Sequence, residues 1–205
     1  APECGSDRMR RLLNKRFTNE EHLDQASWIF ENGIQNLKLY YKVGLPFEEH
    51  ADVEAIVELT EGIRERMLKV ARGRGRIGRL NPSINPFVPK PGTPYQWLPM
   101  SDPKETDRKL QYLRKAFGRM PNVNAICKSA RTGVAQSILA LADRRVADAL
   151  EIAVGRRMDF KRAVREAGLD PSFYLFRERA RDEVLPWDVV DNGVARDYFW
   201  KELER

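Results

Sequence analysis

Two stretches constrain this chain more than any others. Asn36-Leu37-Lys38-Leu39-Tyr40-Tyr41-Lys42-Val43 lies between Gly33 and Pro46 and mixes alternation with aromatic and branched residues, the pattern of a strand. Residues 79–88 read the same way. Between them, Val53, Ile56, Val57, Ile63, Met67 and Val70 recur at helical spacing and predict a helix from about Ala51 to Val70. Two strands joined by a helix of that length cannot form a tight hairpin. They call for a crossover and parallel pairing.

The pattern extends in both directions. Ser6 is placed to cap a short helix from Asp7 to Asn14, with Asp7 favourable for the helix dipole. Thr18-Asn19-Glu20-Glu21 is a capping box that opens a helix carrying Leu23, Ala26, Ile29 and Phe30, and Gly33 stops it. Five prolines between Pro86 and Pro99 exclude helix there. A helix capped by Ser101 or Asp102 runs to about Phe117, a short strand covers 122–127, and 132–153 reads as one helix. After Arg156 the chain is rich in aromatics and charge, with short helices broken at Gly168, Pro171 and Pro186. The expected fold is α/β, with a division into 1–130 and a helical extension, 131–205.

Composition excludes several classes of protein. No apolar run approaches the roughly 20 residues of a membrane span, and the start of the chain has no signal-peptide pattern. Two cysteines, Cys4 and Cys127, make no disulfide framework, so a reducing cytoplasm is the default expectation. The net charge of +6 is mild, but seven basic residues between Arg64 and Arg79 face only Glu65. That stretch could suit RNA or another anion, with Tyr95 and Trp97 as stacking candidates; a solvated helix end is the plainer reading. Gly73-Arg74-Gly75-Arg76-Ile77-Gly78 spells a dinucleotide-type loop, yet it follows a helix and precedes a strand, the reverse of what pyrophosphate binding needs. It reads as a flexible connection. His22 and His50 are the only histidines, too few for a histidine metal site, and His22 is expected to be exposed. No hydrolase motif appears.

Three segments remain, each where a strand ends: "APECGS" at 1–6, "YYKVGLPFE" at 40–48 and "NPFVPKPGTPYQW" at 85–97. In a parallel barrel all three would share the face on which ligands bind.

With these motifs the chain resembles the radical S-adenosylmethionine (SAM) superfamily, and within it an uncharacterised branch often fused to a cobalamin-binding-type domain. The Gly44-Leu45-Pro46-Phe47-Glu48 turn is similar to that branch's fifth-strand signature, 85–97 to its sixth, and 137–146 and 185–194 to its C-terminal extension. The resemblance implies strands four to six of a partial (β/α) TIM-like barrel, with the first half lying before Ala1. It implies SAM at the strand ends: Glu3 and Ser6 toward the ribose or methionine end, the Gly44-Leu45-Pro46 turn against the adenine, and Glu48 bracing that turn. Val88 would lie against the adenine, with Thr93 in the turn that shapes the wall. The parent would cleave SAM reductively for radical, methyl or methylthio transfer. The C-x3-C-x2-C motif that holds the 4Fe-4S cluster is not in this sequence, so the chain is expected to hold no cluster and to be inactive alone. An RNA-binding module, or an interaction domain working through 157–205, are the rival expectations.

Overall fold

The computed structural model describes residues 1–205 and is mixed α/β, with a small sheet of three parallel strands and many helices. The chain separates into two units. The first comprises 1–86 and 104–130; the second comprises 87–103 and 131–205. Residues 87–103, grouped with the first part in the sequence reading, cluster with the tail.

In the first unit, α1 (Asp7–Leu12) and α2 (Asn19–Glu31) precede β1 (Asn36–Val43), α3 (His50–Arg74) and β2 (Arg79–Pro86). Then α4 (Pro103–Phe117) leads to β3 (Ile126–Cys127). The strands lie in the order β1-β2-β3, all parallel, with Asn36 opposite Arg79 and Val43 opposite Pro86. Sequence neighbours are therefore spatial neighbours, each joined by a helix. Glu3 adds an isolated parallel bridge to Tyr41 on the outer edge of β1.

Pro82 sits inside β2, where proline is usually excluded. Leu80 and Ile84 direct their backbone groups to the β3 side, through Leu80 N to Asn122 O at 2.9 Å and Lys128 N to Ile84 O at 3.0 Å. The missing N–H of Pro82 thus falls on the β3 side, where the ladder lapses between the bridge at Val123 and Ile126. That is why β3 is only two residues long.

The two sheet faces differ in kind. Leu39, Tyr41, Val43, Leu80 and Ile84 are buried against α2, α3 and α4, in a core with Phe30, Ile56, Ile63, Leu110 and Phe117. The alternate residues form rows across the other face: Lys38–Asn81 and Lys42–Asn85 from β1 and β2, and Tyr40–Ser83–Ile126 across all three strands. Asn124 and Lys128 share Ile126's side of β3 by alternation.

The helix α3 continues four residues past its expected end. Ala71 keeps the buried face going, and Arg74 reaches the carbonyls of Phe30 (3.3 Å) and Glu31 at the end of α2. The Gly73-Arg74 part of the glycine-arginine motif is therefore helix, and only Gly75, at φ 67°, begins the connection. His22, expected to be exposed, is half-buried, and its Nε2 has no hydrogen-bond partner.

The second unit contains α5 (Ala130–Leu141), α6 (Val146–Gly155), α7 (Phe160–Glu166), α8 (Pro171–Leu175) and α9 (Arg196–Glu204). The single helix expected over 132–153 is broken at 142–145. There the Asp143 carboxylate accepts from the Arg145 backbone N–H (3.0 Å), its guanidinium (2.6 Å) and the Tyr174 hydroxyl (3.1 Å). An aspartate satisfied this way competes with the helix. Ile138, Leu141, Ala149, Val164 and Leu175 form the core. The 87–103 segment is bound in by Gln96, whose Oε1 accepts from Gly92 N (3.0 Å) and Trp187 Nε1 (2.7 Å). Trp97 is 1% exposed, edge-on to Trp200 at 5.1 Å. The tail aromatics thus pack on 87–103, and Trp97 offers no free ring for a base to stack on.

Candidate functional site

At the C-terminal end of β1, four segments of the first unit are tied together by charged groups. Glu3 N donates to Tyr40 O (2.9 Å) and Lys42 N to Glu3 O (2.8 Å). The Glu3 carboxylate meets Lys42 Nζ at 2.6 Å, with both side chains partly exposed. Glu3 holds a left-handed φ of 63°. Non-glycine residues pay for such a conformation, and these sites cluster where structure serves function.

Gly5 follows, packed so closely on α3 that a Cβ would sit 2.1 Å from Ile56 N. This contact brings Ser6 to the first turn of α3. Ser6 Oγ accepts from Met9 N (3.2 Å), capping α1, and donates to Asp52 Oδ1 (2.5 Å). Asp52 also accepts from Glu49 N (2.8 Å) and from Arg8. Burial works against the Asp52 charge, but these hydrogen bonds outweigh it and hold the carboxyl below the usual range.

The turn after β1 has Gly44 at φ 77° and Phe47 at φ 63°. Glycine makes the first reversal free of strain; Phe47 is held in place by its neighbours. Arg8 donates to Phe47 O (2.9 Å), and Glu48 N donates to Leu45 O (3.2 Å). Leu45 is buried, while the Phe47 ring is 66% exposed. The Glu48 carboxylate accepts from Gly44 N (2.8 Å) and Lys109 Nζ (2.7 Å), and its side chain is only 3% exposed. Burial pushes the Glu48 carboxyl up, against the opposing pull of Lys109 and the Gly44 N–H. Glu48 therefore joins the β1 turn to α4.

Glu3, Ser6, Gly44, Leu45, Pro46 and Glu48 all belong to this assembly in the first unit. Val88 and Thr93 lie in the second unit. There the Thr93 hydroxyl donates to Lys90 O (2.7 Å) within its own turn. Arg8, Lys42, Asp52 and Lys109 join the site through contacts that no sequence motif singles out. Asp52, three residues after Glu49 at a helix start, carried a legible capping signal. Lys109, 61 residues from Glu48, carried none.

The charges are paired, and no group of three or more His, Cys, Asp or Glu side chains is arranged to hold a metal. Cys4 is buried, and burial pushes its thiol up to about 12, far from the thiolate that ligates metals. The basic stretch 64–79 is partly engaged: Arg64 Nε donates to Pro121 O (2.8 Å) and Arg74 ties α3 to α2.

Comparison with known proteins finds a relative described as an uncharacterized protein, from the archaeon Methanocaldococcus jannaschii. It is 26% identical over 151 residues, which cover 74% of this chain and 31% of the relative. The chain thus spans about a third of that protein's length. No family model and no solved structure matches. No helix is long and apolar enough to cross a membrane.

Proposed function

We propose that this chain is the nucleoside-binding part of a radical SAM-type barrel enzyme, with β1 and β2 as the fifth and sixth strands of a TIM-like barrel. The observation that carries the reading is the gathering of Glu3, Ser6 and the Gly44–Glu48 turn at the C-terminal end of β1, the end that binds ligands in parallel barrels. The consecutive order of parallel neighbours supports it, because a singly wound sheet is how a barrel grows.

Roles follow from the contacts. The Glu3–Lys42 pair, partly exposed, suits hydroxyls of a ribose. Gly44, lacking a Cβ, lets a flat base approach the backbone. Glu48 and Lys109 are positioning residues that hold the turn. Ser6 acts through Asp52, since its hydroxyl already donates to that carboxylate. Val88 and Thr93 enter from the resemblance alone. SAM, when bound in such an enzyme, supplies the adenosyl radical or the transferable methyl group. The residues present do not fit the 4Fe-4S cluster: two cysteines cannot supply three thiolates, and Cys4 is buried as a thiol. A parent enzyme would draw the cluster from elsewhere.

The test is an amide-resolved NMR titration of the chain with SAM and with 5′-deoxyadenosine, which detects even millimolar binding. Shifts should centre on Glu3 and Gly44–Glu48, and Glu48→Ala should abolish them. Absent shifts, or shifts scattered over the helical surface, would remove the reading.

A further inference from the structure

The face of the sheet turned away from the core is mainly polar, with Tyr40 and Ile126 in its middle row. Its rows run Lys38–Asn81, Tyr40–Ser83–Ile126 and Lys42–Asn85, and the ladder continues from Ile84 to Lys128 N. Asn124 and Lys128 extend the first and last rows onto the third strand. Arg79 sits at the opposite margin, beside Asn36. Four cations thus share a face on which no carboxylate stands, apart from Glu3 at its edge on Lys42. Lys38, Tyr40, Asn124, Ile126 and Lys128 are exposed.

A parallel sheet is normally covered on both faces by helices, and both faces then read as apolar. A helix laid on this one would bury Lys38 and Lys128 with no carboxylate to pair them, at a cost of several kcal/mol for each. The face is therefore built for water and polar ligands. The row nearest the C-terminal ends of the strands is Lys42–Asn85–Lys128. At the ~4.8 Å spacing of adjacent strands, its two lysines stand about 10 Å apart, with an amide between them.

We infer that this row binds a small phosphate-bearing molecule carrying hydroxyls, such as a sugar phosphate. Lys128 is the unpaired point charge toward the phosphate, Lys42 reinforces it from its pair with Glu3, and Asn85, with both donors and an acceptor, reads the neighbouring hydroxyls. Charge complementarity commits the site to an anion, and the asparagines to a ligand rich in hydrogen-bonding groups. The inference stands on the sheet alone and does not require the nucleoside reading.

The experiment is an amide NMR titration of the full chain with ribose 5-phosphate, with ribose as the uncharged control. Saturable shifts at Lys42, Asn85 and Lys128 are expected, with little response to ribose. Lys128→Gln should weaken binding roughly tenfold, the scale of losing one charge-assisted contact. It should also leave any SAM-induced shifts at Gly44–Glu48 unchanged, so the two proposals fail separately. No saturable shift, equal response to ribose, or an unweakened Lys128→Gln variant would overturn the inference. So would a single-stranded oligonucleotide that shifts residues 64–79 while ribose 5-phosphate shifts nothing.

Discussion

Each unit is fastened by a buried arginine, and the two are buried on different terms. In the first unit Arg10, 1% exposed, donates to Cys4 O (2.6 Å), Phe17 O (2.7 Å), Asn19 and the Asp7 carboxylate. In the second, Arg179, 5% exposed, donates to Gln96 O (3.3 Å) and Tyr174 O, and its own N–H to Trp97 O (2.9 Å). Arg179 has only neutral acceptors. Burial, and then the like charge of Arg177, hold its guanidinium below the ordinary arginine value. Arg10 is charge-compensated and locks the N-terminal segment that carries Glu3 and Ser6. Arg179 is a clip for loops. The site thus sits in the unit where buried charge is matched by opposite charge, which is the condition for holding side chains in place at acceptable cost.

The largest expected effect breaks this comparison directly. Arg10→Ala should cost about 3–4 kcal/mol, because it strips the buried Cys4 carbonyl, the part-buried Phe17 carbonyl and a carboxylate of their donor. Arg179→Ala should cost less, about 2 kcal/mol, from carbonyls alone. Urea unfolding measures both, with amide exchange in β1 reporting the first and tryptophan emission the second. Equal losses would show that the Asp7 charge is not what separates them.

Two carboxylates sharpen the contrast through pH. Asp143 is held down to about 2, chiefly by the Arg145 hydrogen bond. Its contribution is present above the ordinary 3.8 and lost as pH falls toward 2. Asp143→Asn should therefore cost about 1 kcal/mol at neutral pH, after solvent screening of exposed Arg145, and little at pH near 2. Glu48 is raised above 4.5, first by burial, so the sign reverses. Its contribution relative to Gln is greatest below 4.5 and falls as pH rises through the raised value. The stability difference between the parent chain and Glu48→Gln, followed from acid to neutral pH, should shrink. A difference that grows instead would mean that Lys109 outweighs desolvation.

The smallest effect concerns backbone strain. Phe47→Gly should stabilise the chain by about 1 kcal/mol, by relieving the left-handed φ. Arg157→Gly, at φ 48° in the second unit, should act in the same direction. Only Phe47→Gly should also alter the nucleoside response at Gly44–Glu48; a matching change from Arg157→Gly would detach the strain from the site.

The order of helices and parallel strands in the first unit was legible in the sequence because period and punctuation are local signals. Thr18 and Glu21 form the expected capping box, and Asn36–Val43 is a strand as read. The second unit was less legible. Asp143 splits one expected helix by hydrogen bonds to Arg145 and to Tyr174, 31 residues away, and periodicity does not register a competitor that distant.

The candidate site divides along the same line. Gly44, Pro46 and Glu48 could be picked out as a turn, because glycine and proline restrict the backbone wherever they stand. What Glu48 does was decided by tertiary structure, through Lys109 arriving from α4, and so was the pairing of Ser6 with Asp52 across 46 residues. The polar sheet face lies between these cases. The alternation of Lys38, Tyr40 and Lys42 is written in the sequence. Only strand register brings Asn85 and Lys128 into line with Lys42, because hydrogen-bonded pairing, not any local preference, selects which residues of separate strands become neighbours.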